Sequence, residues 1–136
     1  MKRLTQLKLN AFTLSELLVV LVIIGILVLI ALPNLMPLIS RAKSTEAKMQ
    51  LGHVYNLEKN FFFMYSKYSV DPQEIGFEQE ILVTANGSAN YRIDITEATT
   101  NTFKARATAV ADFDGDGIFN VWEINQDKKL LEITKD

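Results

Sequence analysis

Sixteen apolar residues, 17–32, follow one another without interruption, and a single carboxylate, Glu16, stands at their mouth. As a helix the run covers about 24 Å at about 1.5 Å per residue, and residues 12–14 extend it towards the thickness of a bilayer core. No charge occurs from Leu17 to Ser40, while Lys2, Arg3 and Lys8 precede the run with no acid among them. That asymmetry predicts a cytoplasmic N-terminus and export of everything after the span. An ordinary cleaved secretory signal fits poorly. The uncharged stretch is longer than such a signal needs, no small-x-small cleavage site stands out at its end, and Thr13, Ser15 and Glu16 lie before it. The first expectation is a single-span protein stored in a lipid bilayer.

Glu16 is the costly element. A charge inside a membrane helix costs about 2.5–3.5 kcal/mol on insertion scales and usually marks a site with a partner. Snorkelling to the interface is the plain alternative, because Glu16 lies near one end of the span. Ala11, Phe12, Thr13, Leu14 and Glu16, with the basic leader before them and the apolar helix after, resemble the class III signal of type IV pilins and type II secretion pseudopilins. The resemblance covers roughly the first third of the chain. It implies cleavage by prepilin peptidase at the Ala11–Phe12 bond and N-methylation of the new Phe12 amine. It also implies a homo-oligomeric helical filament, raised from the bacterial inner membrane by an assembly platform to a periplasmic or extracellular position. In that filament the Glu16 carboxylate pairs with the ammonium of a neighbouring subunit, in a poorly screened environment that selects register. Pro33 stands where the family's long helix kinks or opens. The family usually has Gly where this chain has Ala11, and Ser15 replaces a more usual apolar residue.

The implied fold is α+β: a long N-terminal helix, membrane-spanning in one half and amphipathic in the other, packed on a small antiparallel sheet. The reading divides the chain into a leader, 1–11, an assembly helix, 12–35, and a globular domain, 36–136. Val54, Leu57, Phe61, Met64 and Tyr68 recur at helical steps and predict an amphipathic helix to about residue 68. Residues 61–63 are three consecutive phenylalanines, which cannot all face inward at about 100° per residue. One or two of the rings then meet an adjacent subunit, or the core face is broad. Asp71, Pro72 and Gly76 break the helix. Tyr91, Ile93 and Ile95 alternate with Arg92 and Asp94, and Phe103, Ala105, Ala107 and Ala109 alternate with Lys104, Arg106 and Thr108, which reads as strands. Residues 121–124 and 130–134 flank a hairpin turn, and Asn86-Gly87 and 99–101 read as turns separating the earlier strands.

The second informative stretch, Asp112 to Glu123, fits D-x-D-x-D-G-x5-E. Asp112, Asp114, Asp116, the Ile118 carbonyl and Glu123 offer oxygens to one Ca²⁺, with Gly117 permitting the sharp turn. The flanks read as strands, not helices, so the three aspartates are favoured as ligands over Glu123, and an Asp/Gly-rich turn is the plain alternative. Calcium in a C-terminal loop also fits major secretion pseudopilins. Residues 1–70 carry eight Lys/Arg against three acids and 71–136 carry six against thirteen, so the acidic half argues against a nucleic-acid surface. There is no cysteine, and His53 stands alone, so no nucleophile–base pairing suggests an enzyme. The second half lacks the proline-rich segment that resemblance to a major secretion pseudopilin would imply after the helix, and also the C-terminal cysteine pair common in many adhesive pilins, which leaves the two close, with pilin slightly ahead. A membrane-anchored calcium-binding or adhesion module is the further alternative.

Overall fold

The computed structural model describes residues 11–136, so leader residues 1–10 lie outside the described residues. The chain divides into two compact units, one ending at Leu35 and the other running Met36–Asp136. One helix, α1 (Leu14–Tyr65), precedes four strands: β1 (Tyr91–Ala98), β2 (Phe103–Ala109), β3 (Val121–Asn125) and β4 (Leu130–Thr134). The strands form an antiparallel meander in the order β1-β2-β3-β4. This is the α+β, pilin-like arrangement of a long helix on a small sheet.

In the first unit every residue from 11 to 35 is exposed, and α1 contains a stretch long and apolar enough to cross a membrane. The helix runs without interruption through Pro33 and Pro37. A proline ring removes one i→i−4 donor, so Leu29 and Pro33 each lose a backbone partner for their carbonyls.

In the second unit the helix buries Ser40, Ser44, Ala47, Leu51, Val54, Glu58 and Phe61, a stripe with alternating four- and three-residue steps. Ala105, Ala107 and Ala109 line the inner face of β2, and their small side chains leave room for Leu51, Val54 and the rings of Tyr91 and Phe103 in one core. Helical periodicity misplaced the end of this stripe. Met64 is 68% exposed, and α1 stops at Tyr65 because Ser66 takes a left-handed conformation (φ 55°). Tyr68 is buried, but from the following loop, where its N–H donates to the Thr99 carbonyl at 3.0 Å. Of the phenylalanine triplet, Phe61 is buried, Phe62 is half-buried and Phe63 is exposed.

The segment before Asn86 forms no strand. Val83–Ala85 is a single 3-10 turn, which Asn86 ends in a left-handed conformation (φ 63°). Gly87 is required there, since a Cβ would lie 1.8 Å from the Ile81 carbonyl oxygen. On β1, an edge strand, the Gln79 side chain occupies the place of a neighbour. Its amide donates to the Tyr91 carbonyl at 3.1 Å and accepts from the Ile93 N–H at 2.8 Å.

Candidate functional site

Two places concentrate unusual chemistry: the start of α1 and the loop between β2 and β3. At the helix start Thr13 precedes the first helical residue, and three residues later Glu16 folds back. The Glu16 carboxylate accepts the Thr13 N–H and the Thr13 hydroxyl, each at 2.8 Å, while the Thr13 Oγ1 accepts the Glu16 N–H at 3.3 Å. This is a reciprocal capping box, in which hydroxyl and carboxylate satisfy N–H groups that the first helical turn leaves free. A negative charge in that turn also faces the positive end of the helix dipole. Threonine three residues before glutamate was the available sequence signal, and the sequence reading, occupied with the cost of the charge, missed it. Phe12 is 82% exposed immediately before the cap, and Ala11 is exposed beside it. Pro33 lies well inside α1, exposed, in the same apolar unit.

The acidic loop folds around its own carboxylates. Asp112 accepts the N–H of Gly115 at 2.6 Å and of Gly117 at 2.7 Å. Asp114 accepts from the Asp116 N–H at 3.1 Å, and Asp116 from the Ile118 N–H at 2.7 Å. Gly115 and Gly117 take left-handed conformations (φ 85° and 86°), which lets the chain reverse this tightly. The N–H bonds from Gly117 and then Gly115 hold the Asp112 carboxyl below the usual carboxylate range.

Asp112, Asp114 and Asp116 come together, and their fourth companion is Asp136 rather than Glu123. One carboxylate oxygen from each of the four lies within 4.8 Å of the others. Oxygens coordinating Ca²⁺ at about 2.4 Å are separated by at most about 4.8 Å across the ion, so the spacing fits a shared cation. Asp136 spends Oδ2 on the Phe113 N–H at 3.0 Å and keeps a buried Oδ1 with no hydrogen-bond partner among the described residues. Glu123 lies instead on β3, where it pairs with Arg106 at 2.8 Å. The structure separates it from the carboxylate cluster because a strand, not a helix, follows the loop. Nothing in a local motif pointed to Asp136, twenty residues beyond Asp116 in the chain.

Comparison with known proteins places the helix start in context. Residues 8–32 match the family described as the prokaryotic N-terminal methylation motif. Over 71 residues, 52% of this chain, the sequence is 46% identical to the type IV major pilin protein PilA of Myxococcus xanthus (strain DK1622). The match spans 32% of that protein's length. The methylation motif, the similarity to a type IV major pilin over about half of the chain and the helix-on-sheet fold agree with one another and support a relationship to the type IV pilins.

Proposed function

We propose that this chain is the structural subunit of a type IV pilus-like filament, cut by prepilin peptidase at Ala11–Phe12 and assembled through its N-terminal helix. Before assembly it is held in the inner membrane by residues 12–35, with its N-terminus cytoplasmic. The observation that carries this reading is the capping box at the start of an otherwise apolar, exposed helix. Among the described residues, Glu16 answers only local donors from Thr13. Removing residues 1–11 creates a positive amine at Phe12, next to Thr13 in the chain, and the same carboxylate can then exchange a neutral intramolecular donor for a charged one on a sister subunit. Charge-assisted hydrogen bonds are about twice as strong as neutral ones, so the exchange favours assembly.

Two substitutions separate capping from pairing. Glu16→Gln keeps an acceptor for the Thr13 N–H but carries no charge, while Glu16→Ala removes both. Fibres are expected to disappear in both variants, with subunit still accumulating in the membrane. Normal fibres from the Gln variant refute charge pairing as the assembly device. The mass of the wild-type membrane-extracted chain provides a separate test: loss of residues 1–11 and gain of one methyl group is expected, and an intact N-terminus refutes processing.

The acidic loop supports a second element of the proposal, a calcium ion held by Asp112, Asp114, Asp116 and Asp136. Supporting it are the mutual spacing of the four carboxylates and the unpartnered Oδ1 of Asp136. Millimolar calcium is expected to raise the melting temperature of the wild-type chain, and Asp114→Asn/Asp116→Asn to abolish the rise. An unchanged wild-type melt refutes it.

A further inference from the structure

Asn34 is the sole polar side chain between Glu16 and Ser40, and it lies exposed on α1 in the unit that ends at Leu35. Its amide donates one N–H to the Ile30 carbonyl at 3.3 Å, and its second N–H and Oδ1 have no partner among the described residues. Close by, Leu29 offers the complementary group, a carbonyl that Pro33 cannot answer for lack of an N–H. One stretch of helix therefore presents a free donor and a free acceptor on an otherwise apolar, exposed surface. Asn34 stands eighteen positions after Glu16, about 27 Å along the helix at about 1.5 Å per residue. In a bilayer core about 30 Å thick the two polar residues fall near opposite lipid boundaries, where water reaches both. Between helices packed away from water, an unanswered amide or carbonyl becomes costly.

A second copy whose Phe12 amine meets Glu16 is displaced by four residues, about 6 Å, along a parallel helix. The same displacement brings residue 30 of that copy level with Asn34. Helix carbonyls point towards the C-terminus, so the oxygen of Leu29 lies close to that level. We infer that Asn34 is a second register mark for helix packing: in the filament its free N–H donates to the Leu29 carbonyl of a second copy of this chain. The inference rests on the reading of the chain as a filament subunit. Coincidence of the two offsets selects a second copy over an unrelated membrane helix, whose acceptors have no fixed height relative to Glu16. A lone asparagine in an apolar helical seam fixes register, and one side-chain hydrogen bond between membrane helices changes association about tenfold.

Full-length wild type, Asn34→Leu, Pro33→Ala and the double variant are expressed in the cell that assembles the wild type, and filament is measured against subunit in the membrane. Asn34→Leu is expected to lower that ratio about tenfold. Its membrane level and its helix melting in micelles stay at wild-type values, and its remaining filaments, once sheared, dissociate at a lower temperature. Pro33→Ala returns an N–H to the Leu29 carbonyl. The double variant is expected to fall no further than Pro33→Ala alone, because both changes remove one contact. Wild-type amounts of filament from Asn34→Leu, or losses that multiply in the double variant, overturn the assignment. So does a matching fall in micelle melting, which confines the amide to its own helix. Lower yield with filaments that dissociate at the wild-type temperature assigns the contact to the assembly machinery and overturns the second copy as partner. A wild-type chain that forms no filaments refutes the filament reading and the contact with it, whereas wild-type filaments indifferent to Asn34→Leu refute the contact alone.

Discussion

Glu58 is fully buried in the helix stripe, with Oε2 accepting the Ser69 N–H at 3.2 Å and Oε1 without a partner among the described residues. Burial pushes its carboxyl up from 4.5 to about 7, and the Ser69 N–H offsets only part of that rise. A group whose folded pKa is raised stabilises the protein fully below its unfolded value, and the contribution disappears as pH climbs through the folded value. The window therefore runs from about pH 4.5 to about pH 7. At about 1.4 kcal/mol per unit, the contribution lost across it is about 3 kcal/mol. Glu58→Gln keeps an acceptor for Ser69 and does not titrate. Denaturant unfolding of the Met36–Asp136 unit, followed by Trp122 emission, measures both variants from pH 4.5 to pH 8. The buried amide carries its own unpaired N–H₂, but that penalty is constant with pH and cancels from the slope of the difference. The Gln variant is expected to gain about 3 kcal/mol on the wild type between the ends of the range. A difference that stays flat within about 0.5 kcal/mol refutes the argument, because that is below the effect of even half a unit of pKa shift.

Other outcomes follow from single contacts. Gly87→Ala drives a methyl group into the Ile81 carbonyl and is expected to cost at least about 2 kcal/mol, read as a fall in melting temperature. Tyr91→Phe removes the hydroxyl that donates to the buried Asn120 Oδ1 at 2.7 Å, leaving that oxygen unpaired at a cost of about 1–3 kcal/mol in denaturant unfolding.

Strong local alternation made the strands legible. Phe103, Ala105, Ala107 and Ala109 face the core as their spacing predicts, and 130–134 forms the last strand as expected. The turn at Asn86-Gly87 was legible too, but the residues before it were not a strand, because Leu82 meets Ala89 in an isolated bridge and the intervening chain coils tightly. The helix was legible as a period and not as a face. Ser40, Ser44 and Glu58 look like solvent positions by residue type, yet each is buried. Ser40 and Glu58 are buried against partners distant in sequence, the Asp136 carbonyl and the Ser69 N–H, which periodicity does not register. The three loop aspartates were legible because their spacing is local. Asp136 was not, since β3 and β4 carry it back to the loop through tertiary structure.

The side chain of Gln79 carries a wider consequence. An open β-rim invites any extended peptide to add to it. By answering the Tyr91 carbonyl and the Ile93 N–H, one amide makes that rim partly deaf to strangers without spending a whole extra strand. Strand addition by another chain at β1 is thereby made harder where those two backbone groups are already engaged.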